Sequence, residues 1–462
     1  MRKTAAELIA FIRRSPSQFH ATENICGSLA EAGFIRLSES EPWNLERGGA
    51  YYTIRNHSSV IAFRIPENAE KISFRLVSSH SDSPTFKVKA AAELTGPAEY
   101  LRLNVEPYGG MIDWTWLDRP LSVAGRVMVR EQGKITEKLL SIDRDILLIP
   151  SLAIHMNKEV NKGMELNRQV DLCPLFSAGE MGKGAFDRMI AAELGCNAED
   201  IVSRELCLVN RQQGVVWGEK EEFISSPKLD DLEAAFASLK GFLNAENLKD
   251  IIVYCCFDNE EVGSETKQGA ASTFLENTLR RITESFASGY DAYCAAVARS
   301  FMVSFDNAHA VHPNHPEKTD PENRNFLNQG IVIKENAAQH YTTDAFSRAV
   351  FSEICRENGI PTQLFANKST ERGGSTLGNI SNTQVSLPCV DIGLPQLSMH
   401  SSYETAGCRD ITYAVEAVKA FYSTEFETGD DGIFFKEYEA VKRQKCCHPI
   451  IRSTGVQEKY TL

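Results

Sequence analysis

Ile251-Ile252-Val253-Tyr254-Cys255-Cys256-Phe257-Asp258-Asn259-Glu260-Glu261-Val262-Gly263-Ser264 is an apolar run that ends abruptly in acid. Its first half is β-branched and too short for an ordinary helix, which predicts a strand over 251–257. The paired carboxylates then stand at a strand end, where a ligand belongs. Working outward, Ile72 to Ser78 is another strand-like run and delivers His80-Ser81-Asp82 into a polar loop. Phe301 to Phe305 ends at Asp306, and Val390 to Pro395 leads through a turn to His400. The order His-x-Asp, Asp, Glu-Glu, Asp, His points to a hydrolase that works with two metal ions.

The flanking patterns organise the rest. Ala5, Leu8, Phe11 and Ile12 recur at helical spacing, and a second helix over 21–32 ends at Gly33. From Tyr51 short β-rich runs take over, including Ser59 to Arg64. Between 91 and 224 short strands are broken by turns such as Tyr108-Gly109-Gly110, and few candidate ligands occur. This predicts an inserted, smaller β-rich domain over 91–224, with the polar segment 177–184 as a loop within it. After Ser225 helix and strand alternate again: helical over 232–243 and 269–286, strand over 251–257, and 295–303 moving toward a strand. The expected class is α/β, with a catalytic domain from 1–90 and 225–462 built on a mixed sheet flanked by helices.

A chain of 462 residues exceeds one ordinary core, consistent with two domains. Its formal charge of −13 disfavours nucleic acid and anionic membrane as partners, and an acidic ligand would need a local positive patch. No run reaches the roughly 18 apolar residues of a membrane helix. Twelve scattered cysteines, adjacent only at Cys255-Cys256 and Cys446-Cys447, fit neither a zinc cluster nor a disulfide scaffold and predict a reducing cytoplasm.

Each candidate residue carries a chemical reason. His80 and Asp82 lie two apart, so the carboxylate can orient an imidazole ligand. Asp230, after Pro227-Lys228-Leu229, opens a helical run, and its short side chain suits a bridge between cations about 3.5–4 Å apart. A helix N-cap is the plainer use of an aspartate there, and Asp231 competes for either role. Glu260 and Glu261 need different jobs, because neighbouring side chains on extended backbone point apart: one ligates and the other moves a proton. His309 and His312, in Asp306-Asn307-Ala308-His309-Ala310-Val311-His312, are equally readable as ligands, oxyanion donors or core histidines. Arg372-Gly373-Gly374-Ser375-Thr376-Leu377-Gly378 lacks the Gly-Lys-Ser/Thr of a phosphate loop and reads as a backbone turn lining a cleft. Lys334, between two site segments, is either a surface charge or a substrate contact.

Assembled, the chain resembles the aspartyl aminopeptidase family of dizinc exopeptidases over essentially its whole length. The resemblance rests on Ser79-His80-Ser81-Asp82-Ser83-Pro84, Lys228-Leu229-Asp230-Asp231-Leu232, Asp258 to Ser264, Asp306 to Asn314 and Leu397-Ser398-Met399-His400-Ser401, with Ser15 to Ala21 similar to that family's N-terminal helix region. It implies that Asp230 bridges two zinc ions, with His80 and Asp306 completing one and Glu261 and His400 the other. Glu260 would then be the general base and Asp82 its orienting partner. It also implies that Lys334 contacts substrate, that His155 of the inserted domain reaches a neighbouring subunit's site, and that dimers build a tetrahedral dodecamer acting on peptides. Carboxylate-rich ligation also suits manganese or cobalt. The implied substrates are peptides with an acidic first residue. A neutral or apolar preference, a two-metal deacylase or carboxypeptidase, and a scaffold without chemistry are the alternatives.

Overall fold

The computed structural model describes residues 2–68, 71–246, 249–371, 373–429 and 432–435, so Arg372 and the Cys446-Cys447 pair lie outside the described residues. The central strand spans Ile251–Phe257 and is buried throughout. Ile252, Tyr254 and Cys256 enter one apolar core, whereas Ile251, Val253, Cys255 and Phe257 enter another on the opposite face. Burial on both faces is why the run reads as continuously apolar instead of alternating.

Strand Ser59–Arg64 pairs antiparallel to one side of it and Phe74–His80 parallel to the other. Phe301–Phe305 and Cys389–Gly393 continue the parallel set. Ile331–Glu335 with Thr362–Ala366 forms one edge of this nine-stranded mixed sheet, and Ala50–Arg55 with Ile35–Leu37 the other. Helices Arg2–Arg13, Gln18–Glu31, Leu229–Leu243 and Cys408–Ser423 supply the first core, and Phe274–Phe286 and Tyr290–Ala298 the second. The expected strand character over 295–303 begins only at Phe301, because the alanine-rich start completes the preceding helix through Ala298.

A separate six-stranded sheet encloses its own core, with helix Ala185–Leu194 packed against it. It takes its strands from Thr85 to Asn210, and both expected boundaries fall within strands: 91 in Thr85–Thr95 and 224 in Phe223–Ser226. Ala90-Ala91-Ala92 conceals the continuing strand, since alanine has poor β-propensity and the pairing register shifts there, between Val88 and Glu93. Val215–Trp217 and Phe223–Ser226 instead join Glu404–Gly407, Pro395–Leu397 and Ala308–His309 in a five-stranded sheet. Among the described residues no helix is long and apolar enough to cross a membrane.

Candidate metal centre

Three neighbouring parallel strands end at one place. His80 closes Phe74–His80, the Glu260–Val262 turn follows Ile251–Phe257, and Asp306 follows Phe301–Phe305. The crevice beyond the carboxyl ends of such strands is where open α/β sheets hold ligands. Asp230 enters from the start of helix Leu229–Leu243, and His400 from the loop after Pro395–Leu397.

Asp230 faces two ways. Its Oδ1 lies 3.5 Å from His80 Nε2, and its Oδ2 lies 3.4 Å from His400 Nε2. Asp306 Oδ1 is 3.8 Å from the same His80 nitrogen, and Glu261 Oε2 is 3.5 Å from the same His400 nitrogen. The five candidate ligands thus form two groups joined by one carboxylate. A capping role for Asp230 is excluded, since the helix start has no side-chain cap and Asp230 Oδ1 is buried without a hydrogen bond. Its rival Asp231 accepts the His80 N–H at 3.0 Å and so braces a ligand. The Asp230–Asp231 peptide is cis.

The surrounding groups select which atoms face inward. His80 Nδ1 has only acceptors beside it, the Asp82 carbonyl at 3.1 Å and Asp82 Oδ1 at 3.3 Å, so it carries the proton and leaves Nε2 free to ligate. Asp82 also accepts the N–H groups of Glu260 and Glu261, one on each oxygen, both at 3.2 Å. This corrects the reasoning from extended backbone. The two glutamates sit in a tight turn entered by Asn259 at φ +63°, and both carboxylates reach His80 within a common 4.8 Å set.

Charge is crowded here. Burial pushes the Glu260 carboxyl up to about 8, with His80 opposing and Asp306, Asp82 and Asp230 adding repulsion. Glu261 is raised well above the ordinary range by burial, against the pull of His400. Burial disfavours a charged His400, yet Asp230 and Glu261 raise it to about 10. Divalent cations would relieve this repulsion and give partners to Asp230 Oδ1 and Glu261 Oε1, which are buried without hydrogen bonds. The donor set, carboxylate oxygens with two imidazoles, fits zinc or another first-row cation.

Some contributors had no signal in the spacing. Tyr108, on strand Leu101–Tyr108 of the six-stranded sheet, donates its hydroxyl to Asp82 Oδ2 at 2.6 Å and accepts from Asn259 Nδ2 at 2.7 Å. Gly109 follows at φ +78°, where a Cβ would stand 3.1 Å from Glu261 Cβ, so close approach requires glycine. The turn was legible, but its approach to Glu261 was not. Tyr108→Phe is expected to weaken metal binding or turnover by roughly 10–100-fold, as loss of an outer hydrogen bond commonly does. Titration of the metal-free variant with zinc, beside an unchanged circular dichroism spectrum, checks this.

Lys334 is buried at 2% exposure, not a surface charge. Its ammonium donates to the Asp306 carbonyl at 2.8 Å and lies 3.8 Å from Asp306 Oδ2. Beside the centre is a cavity of about 410 Å³ whose walls include His309, His312, Tyr341, Phe365, Leu397 and Met399. Gly373 and Gly374 border it, and a Cβ on Gly373 would stand 2.2 Å from Asn367 Nδ2. Of the two histidines, His309 senses the centre: enclosing protein lowers its pKa, while Asp230, His400, Lys334 and Asp306 all act on it. His312 accepts the Asn314 N–H at 3.2 Å. His155 lies in an exposed segment, apart from both ligand groups of its own chain.

The family described as Aminopeptidase I zinc metalloprotease (M18) matches residues 11–422. The chain is 45% identical over 425 residues to a probable M18 family aminopeptidase 2 of Clostridium acetobutylicum, covering 91% of this chain and 98% of that one. Its fold is similar to that in a structure of the Ape4 and Nbr1 complex, with a TM-score of 0.88 at 34% identity, over 91% of this chain and 85% of the other. It is likewise similar to the S. cerevisiae mApe1 dodecamer, with a TM-score of 0.79 at 27% identity, over 90% and 96% of the two chains.

Proposed function

The chain belongs to the M18 family of zinc metallo-aminopeptidases, and from that premise we propose that it uses two zinc ions to release the first residue of peptides, with acidic residues preferred. The observation that carries the reading is that Asp230 is shared between the set with His80 and Asp306 and the set with Glu261 and His400. His80, Asp230 and Asp306 would hold one cation, and Asp230, Glu261 and His400 the other. Bound there, the cations would supply Lewis-acid polarisation of the scissile carbonyl.

The chain's own groups account for the remainder. Glu260 takes the proton of the attacking water and returns it to the departing amine, a task suited to a carboxylate held beside His80 on the turn that Asp82 braces. Asp82 sets the ring of His80 and the turn carrying both glutamates. Lys334 holds the Asp306–Asn307 backbone, donating to the two carbonyls at 2.8 and 3.4 Å, and its third N–H, on a nitrogen 3.8 Å from Asp306 Oδ2, is the one proposed to meet substrate. His309, on the cavity wall, would donate to the substrate carbonyl.

Lys318 and Lys368 line the cavity together with His309 and His312, against the single carboxylate of Glu371, which supports an acidic side chain in that space. A hydrogen bond to a charged group contributes about 1.5–3 kcal/mol, so Asp-first dipeptides should exceed Leu-first ones by roughly 10–150-fold in kcat/KM. The walls formed by Tyr341, Phe365, Leu397 and Met399 favour the second reading, a neutral preference, and a faster Leu-first substrate would establish it. N-acetylation separates the enzyme classes in the same assay: an aminopeptidase loses the blocked peptide, whereas a deacylase or carboxypeptidase retains it.

Assembly is part of the proposal. The segment carrying His155 also exposes Leu152, Ile154 and Met156, apolar surface suited to another copy of the chain. A tetrahedral dodecamer would carry His155 to a neighbour's centre, in keeping with the dodecameric mApe1 relative. A cytoplasmic location fits the free cysteines, among them the buried Cys255 and Cys256.

A further inference from the structure

We propose that Glu404 is a positioning residue that assembles one half of the metal centre, the half formed by Asp230, Glu261 and His400. The inference rests on the two-metal reading and deepens it. Glu404 begins strand Glu404–Gly407, pairs with Ser226 across the five-stranded sheet, and is 2% exposed. Both of its oxygens accept backbone N–H groups. Oε2 accepts the backbone N–H of Asp230 at 3.0 Å, and Oε1 accepts the backbone N–H of His400 at 2.7 Å. One rigid carboxylate therefore fixes the distance between two ligand-bearing segments remote in sequence.

His400 needs this restraint more than the other ligands. It adopts φ +65°, a left-handed conformation that side chains disfavour. Its N–H is held by Glu404, and its carbonyl accepts the N–H of Ile112 from the inserted domain at 3.0 Å. The next turn is tied as well: the Ser402 N–H reaches Thr115 Oγ1 at 2.9 Å, and Ser402 Oγ donates to the Thr115 carbonyl at 2.6 Å. Glu404 thus holds the His400 N–H, while Ile112 and Thr115 hold the His400 carbonyl and Ser402. By contrast, the half containing His80 and Asp306 has independent supports in Asp231, Asp82 and Lys334. Asp230 itself keeps a second anchor, because its carbonyl accepts from Ser83 Oγ at 2.8 Å.

Glu404→Gln preserves size but substitutes an NH₂ donor for one acceptor, so one of the two backbone N–H groups loses its partner. The test uses full-length protein stripped of metal and titrated with zinc and, for its visible spectrum, with cobalt(II). The expected result is two binding steps in the unmodified chain. In Glu404→Gln one step is retained within about threefold and the other weakens by roughly 10–100-fold. Hydrogen exchange at the amide of His400 or of Asp230 in the metal-free variant should also accelerate. A brace of the fold alone would weaken both steps together and lower the melting temperature of the metal-free chain, and that outcome, or failure of the variant to fold, overturns the proposal. So do two unaltered steps or unchanged exchange at both amides. Fewer than two steps in the unmodified chain would instead overturn the two-metal reading, and the inference with it.

Discussion

Glu260→Gln is expected to lower kcat by roughly 10²–10⁴-fold, the range associated with losing a positioned acid–base group, or about 3–5 kcal/mol in the barrier. Metal content and assembly should be retained. Glutamine matches the shape of glutamate and keeps the backbone N–H that donates to Asp82 Oδ1 at 3.2 Å, so the turn that also carries Glu261 is undisturbed. Among the described residues no ion pair fixes the Glu260 carboxylate as His400 does that of Glu261. The exchange therefore removes one proton acceptor and leaves the two ligand groups standing. Metal analysis with kcat and KM on an unblocked dipeptide distinguishes the possibilities. A fall in kcat with two metals retained supports proton transfer, a fall with one metal lost makes Glu260 a ligand, and unchanged turnover removes it from the chemistry.

The difference between those two glutamates also marks how far sequence could be read. Their presence at the exit of a buried strand was legible because two-sided burial leaves a plain trace, an apolar run ended by acid. Their directions were not. The argument from extended backbone assumed a continuing strand, whereas Asn259 at φ +63° turns the chain, and Asp82 gathers both amides. The same limit hid Glu404. It lies within a few residues of His400, but what it does depends on a backbone N–H of Asp230, and spacing cannot reveal a contact between distant segments. Tyr108 was obscured differently: residues 91 onward read as a domain with few ligands, yet the end of its strand Leu101–Tyr108 forms a wall of the centre. Candidate ligands were visible through residue type and strand ends. The groups that aim them were not, because any buried acceptor near the right amide can serve.

Asp230→Ala is expected to abolish activity and weaken both metals, unlike any other single ligand change. The His400→Ala or Asp306→Ala variant removes a donor from one group only, so each should leave one binding step near its original affinity. Asp230 supplies Oδ1 to the group around His80 and Oδ2 to the group around His400. The loss for each cation should exceed the roughly 10–100-fold already expected for an outer supporting residue. Thermal unfolding provides an independent reading. Zinc at 100 times its dissociation constant stabilises a folded chain by about 2.7 kcal/mol per site, so the unmodified protein should gain two such increments, and Asp230→Ala almost none. The metal-free proteins should differ much less, since alanine removes the attraction of Asp230 for His80 and His400 while also relieving its repulsion of Asp231 and Glu261. Were Asp230→Ala to keep one full zinc increment, the shared carboxylate would belong to a single cation, and the bridge on which the proposed chemistry depends would be absent.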